Sequence, residues 1–153
     1  MADEQPQPSF QIEKIYVKDL SLEIPNAPQV FLEAQTPQLE IQVRNESTRF
    51  AEGLFEVVIT VTVTAKAGEK TLFLAEAAQA GIFSVRNVPP ADLEPLLAVA
   101  CPTILYPYAR ETVSDIVTRG GFPPVMLAPV SFEALYAQRQ QQGADAAPVE
   151  AAS

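Results

Sequence analysis

Residues 54–85 read LFEVVITVTVTAKAGEKTLFLAEAAQAGIFSV. Phe55, Val57, Ile59, Val61 and Val63 recur at every second position, with Glu56, Thr60, Thr62 and Thr64 between them. A period of two puts the two sets on opposite faces of a strand. AKAGEK then reads as a turn, and KTLFLAEAAQAGIFSV as a further strand ending near Val85. Two strands precede this pair. In FQIEKIYVKDLSLEI (10–24), the spacing of Phe10, Ile12, Tyr16, Leu20, Leu22 and Ile24 predicts one shared face. In QLEIQVR (38–44), Leu39, Ile41 and Val43 alternate with polar neighbours. Between them PNAPQVFLEAQTP is a proline-broken loop holding Val30, Phe31 and Leu32.

Beyond Val85 the spacing becomes helical. Asp92 is expected to cap LEPLLAVA, with Pro95 in the first turn, where a missing N–H costs little. A second helix is expected from about Pro102 to Arg119, with Leu105, Tyr108, Thr112 or Val113, Ile116 and Val117 at helical spacing. Asp115 and Arg119 form an i,i+4 pair on its polar side. Pro107 should kink this helix or mark its true start, and Gly120-Gly121 should end it. FPPVMLAPV then crosses to a last helix, SFEALYAQRQQQ, capped by Ser131 with Glu133 in its first turn. Four strands followed by two to three helices predict an α+β domain built on a four-stranded antiparallel sheet. Residues 1–9 are expected to be a disordered tail, 10–137 the domain, and 138–153 the end of the last helix and a disordered tail. A single sheet with so few helices leaves apolar surface over, which oligomerisation would cover.

Charge and composition exclude several functions. Acidic residues outnumber basic ones by 19 to 10, giving a formal charge of -9. Phosphate backbones and anionic membranes need clustered Lys and Arg, so neither is an expected partner; the charge fits a basic partner protein and, equally, plain solubility. Cys101 is the single cysteine, which rules out an intrachain disulfide and fits a reducing compartment. The start, MADEQPQPS, lacks an apolar signal-peptide region, and the stretch 96–109 is too short to span a bilayer. A soluble, cytoplasmic protein without membrane insertion is expected. With no histidine, the usual zinc sites and histidine bases are excluded, and the glycines form no phosphate-cradling pattern. The chain is read as no enzyme and as needing no cofactor.

Two constellations stand out. The segment FPPVMLAPV carries apolar side chains on a broken backbone, either as a loop packed on the sheet or as the wall of a groove for flexible partners. Asp19 and Glu23 share one strand face across Ser21, and Leu74 and Glu76 share another. They form either a solvated sheet face or a docking site for a basic element. Tyr106 and Tyr108 flank Pro107 and cannot both face one way, and Cys101 is expected to be a small buried apolar side chain.

FQIEKIYVKDLSLEIPNAPQVF, VTVTA, GIFSV and CPTILYPYARETVSDIVTRGGFPPVMLAPVSFEALY closely resemble the SecB family of bacterial protein-export chaperones, over about residues 10–141. The resemblance implies a tetramer, a dimer of dimers, that holds non-native precursor proteins without ATP. It also implies delivery of those precursors to the motor ATPase SecA, whose zinc-containing C-terminal tail would dock on Asp19, Glu23, Leu74 and Glu76. The client groove it implies contains Phe31, Leu39, Ile41, Val43, Leu127, Phe132 and Tyr136. This chain has Gln35 where relatives often carry a tryptophan, and it has no tryptophan at all. A SecB-like chaperone dedicated to an antitoxin and a carrier of apolar small molecules are the competing readings.

Overall fold

The computed structural model describes residues 6–150, with side chains through Gln142. Four strands, β1 (Ser9–Glu23), β2 (Gln38–Ala51), β3 (Leu54–Ala67) and β4 (Lys70–Arg86), form one antiparallel sheet in the order β1-β4-β3-β2. The expected α+β architecture is thus the observed one. The β3–β4 turn falls at Gly68, whose φ of 65° favours a residue without Cβ.

The alternation in β3 decides the two faces as expected. Phe55, Val57, Ile59, Val61, Val63 and Ala65 are buried on one side, against the helices. Opposite them on β4 stand Phe73, Ala75, Ala77 and Phe83. The other face carries Glu56, Thr60, Thr62 and Thr64 of β3 and Leu74, Glu76 and Ala78 of β4.

β1 departs from its expected single apolar face. Its register against β4 shifts twice, between Ile12 and Lys14 and between Val17 and Asp19. Each bulge sets two residues of β1 against one of β4 and exchanges the faces of everything after it. Phe10 and Ile12, then Ile15 and Val17, then Leu20 and Leu22 therefore lie on the helix side. Tyr16 lies on the other. Phe10 stacks on Phe83 with ring centroids 5.6 Å apart.

The helical half is more continuous than its prolines predict. α1 (Pro90–Pro95) passes through a π turn (Leu96–Ala100) into α2 (Cys101–Arg119). Pro89, without a side-chain cap bond, occupies the N-cap, and Asp92 sits inside the first turn. Pro102 lacks the N–H that an α-helix would aim at the Ala98 carbonyl, and its ring crowds that carbonyl. The wider π turn relieves the crowding, and Asn45 Nδ2 donates to the freed Ala98 oxygen at 3.5 Å. Pro107 is contained within α2 without ending it. α2 packs across β4 and β3, burying Leu105, Tyr106, Ala109, Val113 and Val117. Tyr106 is thus the inward tyrosine, and Tyr108, expected on the apolar stripe, is exposed. Asp115 and Arg119 pair at 3.0 Å, and Gly120 caps α2.

From Phe122 to Ser131 the chain crosses without helix or strand, with Val125 and Leu127 buried and Met126 77% exposed between them. The Tyr106 hydroxyl donates to the Ala128 carbonyl at 2.5 Å and ties this segment to α2. α3 (Phe132–Glu150) follows, with the Ala134 N–H donating to Ser131 Oγ at 3.2 Å, as expected of an N-cap. Its backbone is helical well past residue 138. Residues 1–5 and 151–153 of the expected tails lie outside the described residues.

Candidate docking face and apolar clefts

Because the second bulge of β1 precedes them, Asp19, Ser21 and Glu23 emerge on the sheet face that no helix covers among the described residues. Ser21 pairs with Glu76, and Glu23 with Leu74. The four residues expected to form a docking site are therefore neighbours on one open face. Adjacent strands lie about 5 Å apart and alternate residues about 7 Å apart, so Glu76 sits roughly 8 Å from Asp19 and Glu23 at their Cα atoms. Glu76 is partly engaged already. It accepts from Thr62 Oγ1 at 2.8 Å and lies 3.7 Å from Arg44 of β2.

A polar cluster built on the single carboxylate of Glu56 adjoins this patch, one that sequence reasoning did not single out. Glu56 accepts from the Tyr16 hydroxyl and, at 2.7 Å, from Lys18 Nζ. The Lys18 ammonium first, and then the phenol, hold the Glu56 carboxyl below its ordinary value. Burial first, and then Glu56, push the Tyr16 phenol up to about 12. No period-two pattern links residues 16, 18 and 56; the strand order and the bulge bring them together.

The apolar residues expected to form a groove separate into groups. Leu127 and Phe132 are core residues, Phe132 edge-on to Tyr106 with centroids 5.8 Å apart. Leu127 anchors the crossover segment in the core, and Phe132 opens α3 beside it. Val43 and Phe132 line a recess of about 340 Å³ with Leu135 and Arg139. Tyr136 lines a larger cleft, about 800 Å³, with Asn45, Leu93, Leu97, Ala98 and Arg139. Leu93, Leu97, Leu135 and Arg139 are the lining residues that the sequence reading passed over. Their shared surface exists only once α3 lies beside the π turn and β2. Leu39 and Ile41 are exposed near the start of β2, on the helix-side face. Phe31 is exposed too and its ring lies tilted against Phe122, which lies tilted against Phe73, with centroids 5.3 and 4.8 Å apart. Gln35 is half-buried and donates to Glu33.

Among the described residues, β1 and β2 are the edge strands, each with one side of its backbone unpaired by another strand. On the helix side of β1, Ile12, Val17 and Leu20 remain 41% to 47% exposed. Cys101, by contrast, is fully buried, and burial pushes its thiol up to about 12. Among the described residues no three His, Cys, Asp or Glu side chains cluster as metal ligands, and no helix is long and apolar enough to cross a membrane.

The comparisons with known proteins agree with one another. The SecB family model, described as preprotein translocase subunit SecB, matches residues 3–143. The protein-export protein SecB of Chromobacterium violaceum is 63% identical over 140 residues, covering 92% of this chain and 93% of that one. The protein of the same name from Methylobacillus flagellatus is 59% identical over 145 residues, covering 95% and 92%. Among solved structures, a SecB-like chaperone of Mycobacterium tuberculosis in complex with a ChAD peptide from the HigA1 antitoxin shares the fold. Its TM-score is 0.66 at 21% identity, over 79% of this chain and 90% of that one. A four-stranded antiparallel sheet backed by one long helix, followed by the crossover segment and α3, is thus the frame of a chain that belongs to the SecB family of protein-export chaperones.

Proposed function

We propose that this chain is a nucleotide-independent holdase of the cytoplasm, which keeps non-native precursor proteins unfolded and passes them to SecA. The observation that carries the reading is the division of the sheet into two unlike faces. One face carries Asp19, Glu23, Leu74 and Glu76, and among the described residues no helix covers it. The zinc-containing C-terminal tail of SecA docks there, its basic groups meeting the carboxylates and Leu74 giving an apolar contact. The other face offers exposed Leu39 and Ile41, with the clefts beside α3 close to Val43 and Tyr136. Short apolar segments of an unfolded client lie along these surfaces, Phe31 adding an aromatic contact. Each segment binds weakly, and several sites in one assembly supply the avidity. Folded proteins hide such segments, so selection needs no sequence code.

Assembly follows from β1. Its free edge and the exposed Ile12, Val17 and Leu20 favour pairing with a second copy, and two such dimers make a tetramer. Light scattering on size-exclusion fractions, without nucleotide, tests the reading. The expected result is a tetramer that shifts to a larger complex with a permanently unfolded polypeptide but not with its folded form. A complex with one antitoxin peptide only would point to a dedicated chaperone instead. A species that ignores unfolded chains and copurifies with a small apolar ligand would point to a carrier.

A further inference from the structure

We propose that Gln79 and Thr112 are positioning residues that hold the second bulge of β1 and thereby decide which sheet face carries Asp19 and Glu23; the proposal rests on the docking role given to those carboxylates above. Lys18 is the extra residue, lying between Val17, opposite Gln79, and Asp19, opposite Ala78. With it in place, Leu20 and Leu22 face the helices, and Asp19, Ser21 and Glu23 face outward. Removal of that single step would exchange the two sets. Leu22, which packs against the core, would turn to solvent, and two carboxylates would turn toward α2. The placement of the acidic patch therefore depends on one irregular residue.

The structure pins that irregularity from both sides. On the open face Tyr16 and Lys18, flanking Val17, both donate to Glu56, reaching across β4 to β3. On the helix side Gln79 Nε2 donates to the Tyr16 carbonyl at 3.3 Å. Gln79 Oε1 in turn accepts from Thr112 Oγ1 of α2 at 2.9 Å. Gln79 is only 3% exposed, on a strand whose other helix-side members include Phe73, Ala75, Ala77 and Phe83. An amide buried among apolar side chains is costly unless bonded at both ends, and this one is. A bulge interrupts the ladder locally, and the carbonyl that Gln79 reaches lies beside the interruption. The chain of contacts runs from α2 through Gln79 to β1, so the long helix holds the edge strand in register.

Thr112→Val and Gln79→Met each remove the link with little change of volume, and Thr112→Ser keeps it. Two quantities are read: hydrogen–deuterium exchange of the β1 peptide spanning Tyr16–Glu23, and binding of the zinc-loaded SecA tail peptide, with binding of an unfolded polypeptide alongside. Loss of one hydrogen bond predicts exchange roughly three- to tenfold faster in that segment. Tail binding should weaken by a similar factor in both variants, with the unfolded polypeptide held as before and Thr112→Ser behaving as the native chain. Should Gln79→Met fail to fold, Thr112→Val supplies both readings. Unchanged exchange overturns the proposal. So does faster exchange with full tail binding when Asp19→Lys/Glu23→Lys abolishes that binding. If the charge reversal itself leaves tail binding intact, the docking role is what fails, and exchange alone decides for or against the clamp.

Discussion

Reversal of Asp19 and Glu23 to lysine tests the open face most directly. Both side chains are exposed, and neither is engaged in an ion pair among the described residues. Four residues along a strand separate them by about 13 Å. That exceeds the screening length of about 8 Å at physiological salt, so the two sites act independently and their effects add. An exposed ion pair contributes about 0.5 kcal/mol, and reversal both removes the attraction and introduces a comparable repulsion. The sum is about 1 kcal/mol per site and about 2 kcal/mol for the pair, or roughly thirtyfold in Kd. Glu76 stays in place but is partly occupied by Thr62 and Arg44, so it compensates little. Fluorescence anisotropy of a labelled SecA tail peptide, titrated at low and at high salt, reads the loss. The ratio should shrink as salt rises, because only screened charges have changed. An unreduced affinity, or an equal loss of unfolded-polypeptide binding, would refute the separation of docking from holding.

Gly120→Val should destabilise the fold by about 1–3 kcal/mol, read as a lower urea midpoint. A Cβ there would sit 2.7 Å from Leu22 Cδ2 and 3.3 Å from Ile24 Cδ1, so the Leu22 side chain would have to leave its place or the end of α2 would have to shift. A native midpoint would show that this approach is looser than the distances imply. Alkaline titration should single out Tyr16, whose phenol stands at about 12 against an ordinary 10.0. A folded value above the unfolded one means that its contribution is intact below pH 10.0 and is lost as pH rises toward about 12. Tyr16→Phe should flatten that part of the stability profile and remove the latest tyrosinate absorbance step; an identical alkaline slope in the variant would sink the assignment.

The regular parts of the molecule were legible because their signals are local. Strand β3 announces both of its faces, Ser131 its cap, and Asp19 with Glu23 a shared side. What stayed hidden depends on distant residues. Nothing in IEKIYVKDLSL marks Glu13 or Lys18 as extra, so counting by twos put Tyr16 on the apolar side, where the register puts Ile15 and Val17. Prolines suggested two helices with a break, yet Pro102 is accommodated by a π turn whose freed carbonyl finds Asn45, a residue of another strand. Leu127 and Phe132 are groove residues by resemblance; here Leu127 turns inward from a crossover tied to α2 by the bond from Tyr106 to Ala128, and Phe132 opens α3 edge-on to Tyr106. The Glu56 cluster needed three strands to be placed before its members could meet.

The strand order has a consequence for how the molecule comes into being. β2, β3 and β4 are joined by tight turns and can pair as they leave the ribosome, each closing on its predecessor. β1 cannot: Glu23 awaits Leu74 and Ser9 awaits Arg86, partners more than about fifty residues downstream. Long-range closure of this kind is entropically slow and comes late. The last event of sheet formation is therefore the one that brings Asp19 and Glu23 beside Leu74 and Glu76. A nascent or misfolded copy already exposes apolar surface, but it has no assembled acidic patch. Under the docking role proposed above, only copies that have themselves finished folding can meet the export machinery.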